Sequence, residues 1–291
     1  MAQIAWIGTG VMGSSMCAHL IKAGHSCRVF NRTKSKASEL IKAGAVWCDS
    51  PAAAAEGSTH IFTIVGYPSD VEQVLLGKEG VIPNAASGSI VVDLTTSTPS
   101  LAEKVFTEAK QRGIQTLDAP VSGGDIGAKN GTLAIMVGGE RKAFDEMMPF
   151  FQLMGENIAY MGGPGKGQHT KMCNQILIAG TMIGVVESLL YAYKAGMDLN
   201  EVIDVIGKGA AASWSINNLG TRIARQDFNP GFFIKHFVKD MRIALDESRR
   251  MNLSMPGLSL AHQFYTAAMA LGHENLGTQG LYKVFETLNG V

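Results

Sequence analysis

The 291-residue chain carries 25 basic and 25 acidic side chains, so its formal charge is zero, and 46% of it is hydrophobic. That balance offers no polyanion-binding surface, so no nucleic-acid partner is expected, and the length supports a substantial core in one large or two ordinary domains. Cys17, Cys27, Cys48 and Cys173 form no CxxC pair and no zinc-type spacing with histidine, so free thiols in a reducing cytoplasm and no metal site are expected. The chain enters a strand with no basic leader, and its most apolar helical run, residues 176–186, is too short to cross a bilayer, so no membrane partner is expected.

Strand-like and helix-like segments alternate through the first half. Residues 4–7 read as a strand and 14–23 as a helix. A second strand at 27–30, a helix at 34–43 and a third strand at 45–47 follow. Ser50 before Pro51 has the pattern of an N-cap with proline at the first helical position. A fourth strand at 60–65 precedes a helix at 69–76. A fifth strand at 89–94 leads through Ser97-Thr98-Pro99 into a helix ending near 112. Strands at 114–118 and 133–137, a helix at 141–151 and a short strand at 157–160 complete this half. The spacing predicts a mostly parallel sheet covered on both faces. Beyond the glycine-rich stretch at 162–167 strand signals stop. Residues 168–195 read as one helix of about 28 residues, ~42 Å long, followed by helices at 199–206, 215–225, 234–251, 258–270 and 276–288. The fold class is therefore α/β: a doubly wound N-terminal sheet domain over 1–163 and an all-helical C-terminal domain over 164–291. Ala179, Gly180 and Gly184 would let the long helix approach a partner subunit closely, so a homodimer or homotetramer is expected.

Gly8-Thr9-Gly10-Val11-Met12-Gly13 lies between the first strand and the first helix. A strand, a tight glycine turn and a helix N-terminus is the arrangement that holds a dinucleotide pyrophosphate. Gly8 permits the turn, Gly10 lets the backbone approach the phosphates, and Gly13 allows close helix packing. The end of the second strand selects the cofactor. A carboxylate there would accept bonds from the adenosine ribose and favour NAD, but the residues are Asn31, Arg32 and Thr33, followed by Lys34 and Lys36. Arg32 can fork onto a 2′-phosphate, with the Thr33 hydroxyl and Lys36 adding to the site. NADP is the expected cofactor, and NAD remains open.

Three further polar segments carry candidate chemistry. Asp93-Leu94-Thr95-Thr96-Ser97 closes one strand at its carboxyl end, where such sheets bind ligands. Asp118-Ala119-Pro120-Val121-Ser122-Gly123-Gly124 closes the next. The Ser122 hydroxyl with the Gly123 and Gly124 amides can cradle a carboxylate. Lys171, Asn174 and Gln175 are spaced i, i+3, i+4 on one face of the long helix. Lys171 can stabilise charge on a carbonyl oxygen during hydride transfer and deliver the proton, and Asn174 and Gln175 can fix the substrate hydroxyl or the lysine.

These motifs resemble the β-hydroxyacid dehydrogenases, the family of 3-hydroxyisobutyrate dehydrogenase, tartronate semialdehyde reductase and the glyoxylate/succinic semialdehyde reductases. The resemblance runs through GTGVMG at 8–13, DLTTSTP at 93–99, DAPVSGG at 118–124, GGPGKGQHTKMCNQ at 162–175 and KDMRIAL at 239–245. It implies a Rossmann-type first domain, a small carboxylate-bearing substrate, catalysis by Lys171 and carboxylate binding by Ser122, Gly123 and Gly124. It also places Thr96 where nicotinamide and substrate meet, Lys239 on the cofactor and Asp240 near the catalytic centre. Two positions depart from the family pattern. Gln175 stands where many members have asparagine, though the tartronate semialdehyde reductases share it. Val65-Gly66-Tyr67 replaces a Met-Leu-Pro type of segment against the cofactor, where Gly66 would widen the surroundings and Tyr67 fill them. Trp214 is either a cap on the substrate pocket or a core residue, and Phe232 and Phe233 are candidates for the adenine side. An imine reductase or a non-catalytic nucleotide-binding protein on the same fold would lack the lysine or the Ser-Gly-Gly loop, and both are intact here.

Overall fold

The computed structural model describes all 291 residues. The chain divides into two compact units, Met1–Lys171 and Met172–Val291. The division falls inside the long helix, whose first turn is bonded into the sheet unit.

The first unit contains one nine-stranded sheet in the order β3-β2-β1-β4-β5-β6-β8-β7, with β9 also paired to β8. Its parallel part comprises β1 (Gln3–Ile7), β2 (Ser26–Phe30), β3 (Val46–Trp47), β4 (His60–Thr63), β5 (Ile90–Asp93) and β6 (Gln115–Asp118). The order turns about β1, which pairs β2 on one side and β4 on the other, and this is the point at which open sheets bind ligands beyond their carboxyl ends. β7 (Val121–Ser122) and β6 both pair antiparallel with β8 (Leu133–Gly139), and β9 (Gly155–Gly162) runs parallel to β8.

Strand alternation builds a core on each face. Ile4, Trp6, Phe62 and Val92 point to one face, where they pack with Met16, Cys17 and Leu20 of α1 (Val11–Lys22), Leu40 of α2 (Ser38–Lys42), Ala128 of α7 (Gly124–Asn130) and Met147 and Phe151 of α8 (Arg141–Phe151). Ala5, Ile7, Ile61 and Val91 point to the other. They pack with Ala54 of α3 (Pro51–Ala55), Val71 and Leu75 of α4 (Pro68–Leu76), Val81 and Ile82 of α5 (Val81–Asn84) and Val105 of α6 (Pro99–Lys110).

Caps set several helix starts. Ser50 accepts from the Ala53 N–H, and Thr98 from the Leu101 N–H, each with proline at the first helical position. Three elements are absent from the sequence reading: α5, α7 and the two-residue β7. Each is short, so its hydrophobic period is too brief to register. Residues 34–43 also divide into a 3₁₀ turn, Lys34–Ala37, and α2.

The second unit is helical. It continues α9 (Lys166–Lys194) and adds α10 (Leu199–Ile206), a π-helical turn at Ser215–Gly220, α11 (Thr221–Ala224), α12 (Ile234–Arg250), α13 (Pro256–Ala270) and α14 (Leu281–Asn289). Its core gathers Met182, Val186 and Leu189 of α9, Phe237 and Met241 of α12, Tyr265 of α13 and Leu281 of α14. By length and composition α9 could cross a bilayer, since its most apolar window has a mean hydropathy of 1.7. Here the buried stripe of the helix is spent on this core.

The glycine turn after β1 shows two kinds of glycine. Gly8 has φ +103°, and a side chain on it would run into the Ile64 carbonyl. Gly10 has nothing within 4 Å of where a side chain would begin. The same substitution should therefore separate them. Gly8→Ser is expected to cost more than about 2 kcal/mol, while Gly10→Ser, at an N-cap position, stays within about 0.5 kcal/mol of the parent in urea denaturation.

Candidate active site

Gly10 caps α1, whose first turn contains no acidic residue and whose N-cap has no side-chain bond. The α1 N–H groups and the positive end of its dipole therefore point past an open glycine. Gly13 is packed so closely that a side chain there would strike the Gly8 carbonyl, which keeps α1 tight against the turn. Val11 is exposed at the same end, and Met12 packs partly against the core. The donors, the open Gly10 and the absence of a competing anion fit a dinucleotide pyrophosphate.

The segment after β2 is tied to the glycine turn. The Thr9 N–H donates to Asn31 Oδ1 at 3.1 Å, and Asn31 Nδ2 donates to the Thr33 carbonyl at 2.9 Å. Arg32, Thr33 and Lys36 are exposed beside it. Arg32 forms a 3.0 Å ion pair with Asp70, whose other oxygen accepts from the Tyr67 N–H at 3.1 Å. One carboxylate thus connects the end of β2 to the start of α4. With Arg32 largely exposed, the pair stabilises the fold by at most about 1 kcal/mol. Asp70 was not singled out in the sequence, although its place three residues after the N-cap is a capping-box signal. Val65 donates from its backbone to Thr95 Oγ1 at 2.9 Å, so the Val65-Gly66-Tyr67 segment is also anchored to the strand beside it.

Beyond β5 and β6 a buried polar network holds the start of α9. Asp118 Oδ1 accepts from the Gly165 N–H at 2.9 Å, and Oδ2 from the Gln168 N–H at 2.8 Å. The Gln168 side chain donates to the Thr95 carbonyl at 2.7 Å and accepts from the Ser97 N–H at 2.9 Å. Asp93 accepts from Thr63 Oγ1 at 2.8 Å and from the Thr95 N–H at 3.1 Å. Burial pushes the Asp118 carboxyl up to about 6; its backbone N–H donors oppose that rise, and neighbouring Asp93 adds to it. Thr96 lies half-buried between the bonded Thr95 and Ser97.

One turn into α9, Lys171 is buried and donates from Nζ to the Val121 carbonyl at 2.8 Å. Its ammonium is thereby held at the residue preceding Ser122-Gly123-Gly124. Ser122 pairs with Ala134 in β7, Gly123 has φ +132° and Gly124 φ +64°. The segment expected to be a loop is therefore a strand end turning directly into α7, and only glycine adopts the backbone of that turn without strain. A cation, a hydroxyl and two glycine amides lie together in this unit.

In the second unit, Asn174 Nδ2 donates to Gln175 Oε1 at 2.7 Å, and Gln175 Nε2 donates to Asp240 Oδ2 at 2.6 Å. The Lys239 ammonium is 3.1 Å from Asp240 Oδ1, an ion pair without hydrogen-bond alignment. Asp240 is fully buried, so its carboxylate faces Gln175 and Lys239. Trp214 is 60% exposed, which excludes its reading as a core residue. Phe232 and Phe233 make ring contacts with His236, and Phe232 also with Phe237.

Asp93, Asp118 and Gln168 stood in quoted motifs but were assigned no role from sequence. Their roles depend on the register Asp93↔Asp118 between β5 and β6, which no local pattern encodes.

The chain matches two family models in tandem. Residues 3–162 match the NAD binding domain of 6-phosphogluconate dehydrogenase, and residues 165–285 match the domain described as NAD-binding of NADP-dependent 3-hydroxyisobutyrate dehydrogenase. It is 54% identical over 282 residues to an uncharacterized oxidoreductase of Bacillus subtilis, covering 97% of this chain and 98% of the relative. It is 53% identical over 290 residues to a probable 3-hydroxyisobutyrate dehydrogenase-like protein of Arabidopsis thaliana, named as mitochondrial, covering 99% of this chain and 86% of that protein. Among solved structures, 3-hydroxyisobutyrate dehydrogenase of Mycobacterium tuberculosis with L-serine superposes with a TM-score of 0.88 at 30% identity, covering 99% of each chain. With a dinucleotide turn, a buried lysine and both halves of the family pattern present, this chain belongs to the β-hydroxyacid dehydrogenases, NAD(P)-dependent oxidoreductases acting on CH–OH groups.

Proposed function

We propose that this enzyme prefers NADP and interconverts a small carboxylate-bearing aldehyde with its hydroxyacid, as 3-hydroxyisobutyrate dehydrogenases and semialdehyde or glyoxylate reductases do. The observation that carries the reading is the buried Lys171 ammonium, 2.8 Å from the Val121 carbonyl and next in space to the Ser122-Gly123-Gly124 turn. In this assignment the Ser122 hydroxyl and the Gly123 and Gly124 amides hold the substrate carboxylate. Lys171 turns one N–H from the Val121 carbonyl to the substrate oxygen. A bound nicotinamide supplies the hydride. As negative charge builds on the oxygen, Lys171 stabilises it and gives up a proton, leaving a neutral amine and a hydroxyl. In oxidation the neutral amine takes that proton back. Further along the same helix, Asn174 and Gln175 bond to each other, and Asp240 and Lys239 brace Gln175.

NADP preference rests on Arg32, Thr33 and Lys36 at the end of β2, where no carboxylate replaces them. Asp70 already pairs with Arg32, so a 2′-phosphate would share or take over that guanidinium. Four unpaired cysteines, three of them buried, suit a reducing cytoplasm.

A homo-oligomer is also proposed. Cys173, Leu177, Gly180, Gly184, Glu187, Tyr191 and Lys194 are exposed on α9 at alternating spacings of four and three, a continuous stripe along one helix. Leu177 and Tyr191 are 72% and 77% exposed, and side chains at Gly180 and Gly184 would meet nothing within 4 Å. The chain's own packing therefore does not require glycine at either position, whereas close approach of a second helix would.

Assays of glyoxylate, succinic semialdehyde, tartronate semialdehyde and 3-hydroxyisobutyrate with each cofactor test the main reading. Lys171→Ala should lower kcat by about 10²–10⁴-fold with dinucleotide Kd unchanged, and undiminished turnover would remove the lysine from the chemistry. Arg32→Ala should weaken NADPH by about tenfold and NADH far less; equal losses would reject the phosphate assignment. In sedimentation the parent should run as a dimer or tetramer and Leu177→Glu as a smaller species, whereas a monomeric parent contradicts the interface.

A further inference from the structure

Asp118 is a buried carboxylate with an unusual neighbour. Across the β5–β6 pairing it stands in register with Asp93, a second buried carboxylate. Burial and like charge both oppose its ionisation. Between about pH 4 and 6 the folded chain keeps a proton that the unfolded chain releases, so this group costs stability as pH rises through that window. A neutral side chain of the same shape would avoid that cost but would keep only one of the two acceptor oxygens. The geometry shows where the charge acts instead: both oxygens accept N–H groups of the α9 N-terminus, at Gly165 and Gln168, where a helix favours an anion. The seat is made for close approach. A side chain on Gly138 would crowd the Asp118 carboxylate, and one on Gly167 would strike the carbonyls of Asp118 and Met136. Lys171 lies one helical turn beyond Gln168, bonded back to the same strand connection at Val121.

We propose that Asp118 is a positioning residue, whose ionised carboxylate sets the axial position and rotation of the first turn of α9 and so the aim of the Lys171 ammonium. The inference rests on the assignment of Lys171 made above. Asp93 of β5 is the charged group that bears on Asp118. Glu103 of α6 lies beside Gly165, and the cations at the start of α9 are Lys166, packed beside Gly162, and Lys171, bonded to the Val121 carbonyl.

The test uses glyoxylate and NADPH between pH 5 and 9, a substrate whose carboxylate stays ionised throughout. The parent kcat should fall on the acid side with a midpoint near 6, while NADPH Kd, read by fluorescence, stays flat. Asp118→Asn should lose that acid limb and lower kcat at pH 7.5 by about tenfold or more. Its NADPH Kd should remain within about twofold of the parent. Hydrogen exchange over residues 163–171 reads the seat without any substrate, and its protection should weaken in the parent below pH 6 and in Asp118→Asn at every pH. Parent-like kcat in Asp118→Asn, a joint loss of kcat and NADPH binding, or exchange protection independent of pH in the parent would each overturn the proposal. Lys171→Ala measured alongside separates the two failures. If it is inactive while Asp118→Asn is fully active, only the positioning role falls. If it retains turnover, the lysine assignment falls and this inference with it.

Discussion

The start of α9 is anchored by two charge-assisted bonds to one carboxylate that is itself out of water. Asp118 supplies what an N-cap residue supplies at a surface helix, an acceptor for unpaired N–H groups, but from a neighbouring strand rather than from the helix's own sequence. The bonds to Gly165 and Gln168 fix where the helix begins, and the Gln168 side chain extends the attachment to Thr95 and Ser97 after β5. Lys171, one turn further along, follows that seat.

The polar network therefore connects segments far apart in sequence. Val65, after β4, bonds to Thr95, Thr95 to Asp93 and Gln168, and Gln168 to Asp118. Parallel strands bring these carboxyl ends to one sheet edge, as a doubly wound sheet requires. A fully satisfied buried network specifies a single arrangement at the cost of desolvating its members. Here that cost is visible in the raised Asp118 carboxyl. In the second unit Asp240 has an analogous place, fully buried between Gln175 and Lys239.

Glycine does two different jobs along the chain. At Gly8, Gly13, Gly138 and Gly167 the backbone is packed against other backbone, and any side chain would displace an element. At Gly10, Gly180 and Gly184 the space is open within the chain. In the proposed function a phosphate approaches Gly10 through helix N–H groups, and in the proposed oligomer a second helix approaches Gly180 and Gly184.

Much of the fold was legible in the residues alone. Apolar alternation marked most strands, Ser50-Pro51 and Thr98-Pro99 marked helix starts, and the glycine fingerprint marked the dinucleotide turn, because each depends on neighbours a few residues apart. The candidate lysine was legible too, as a cation on a helix otherwise rich in Ile, Met and Val. Residues 121–130 were not: a two-residue strand and a seven-residue helix leave too little periodicity, and β7 exists only because β8 is there to pair with it. The parting of the two units within α9, the Arg32–Asp70 pair and the Asp118 seat were likewise settled by packing. Their partners are separated by 38 residues in the pair and by 47 and 50 in the seat, and only the assembled sheet brings them within bonding distance.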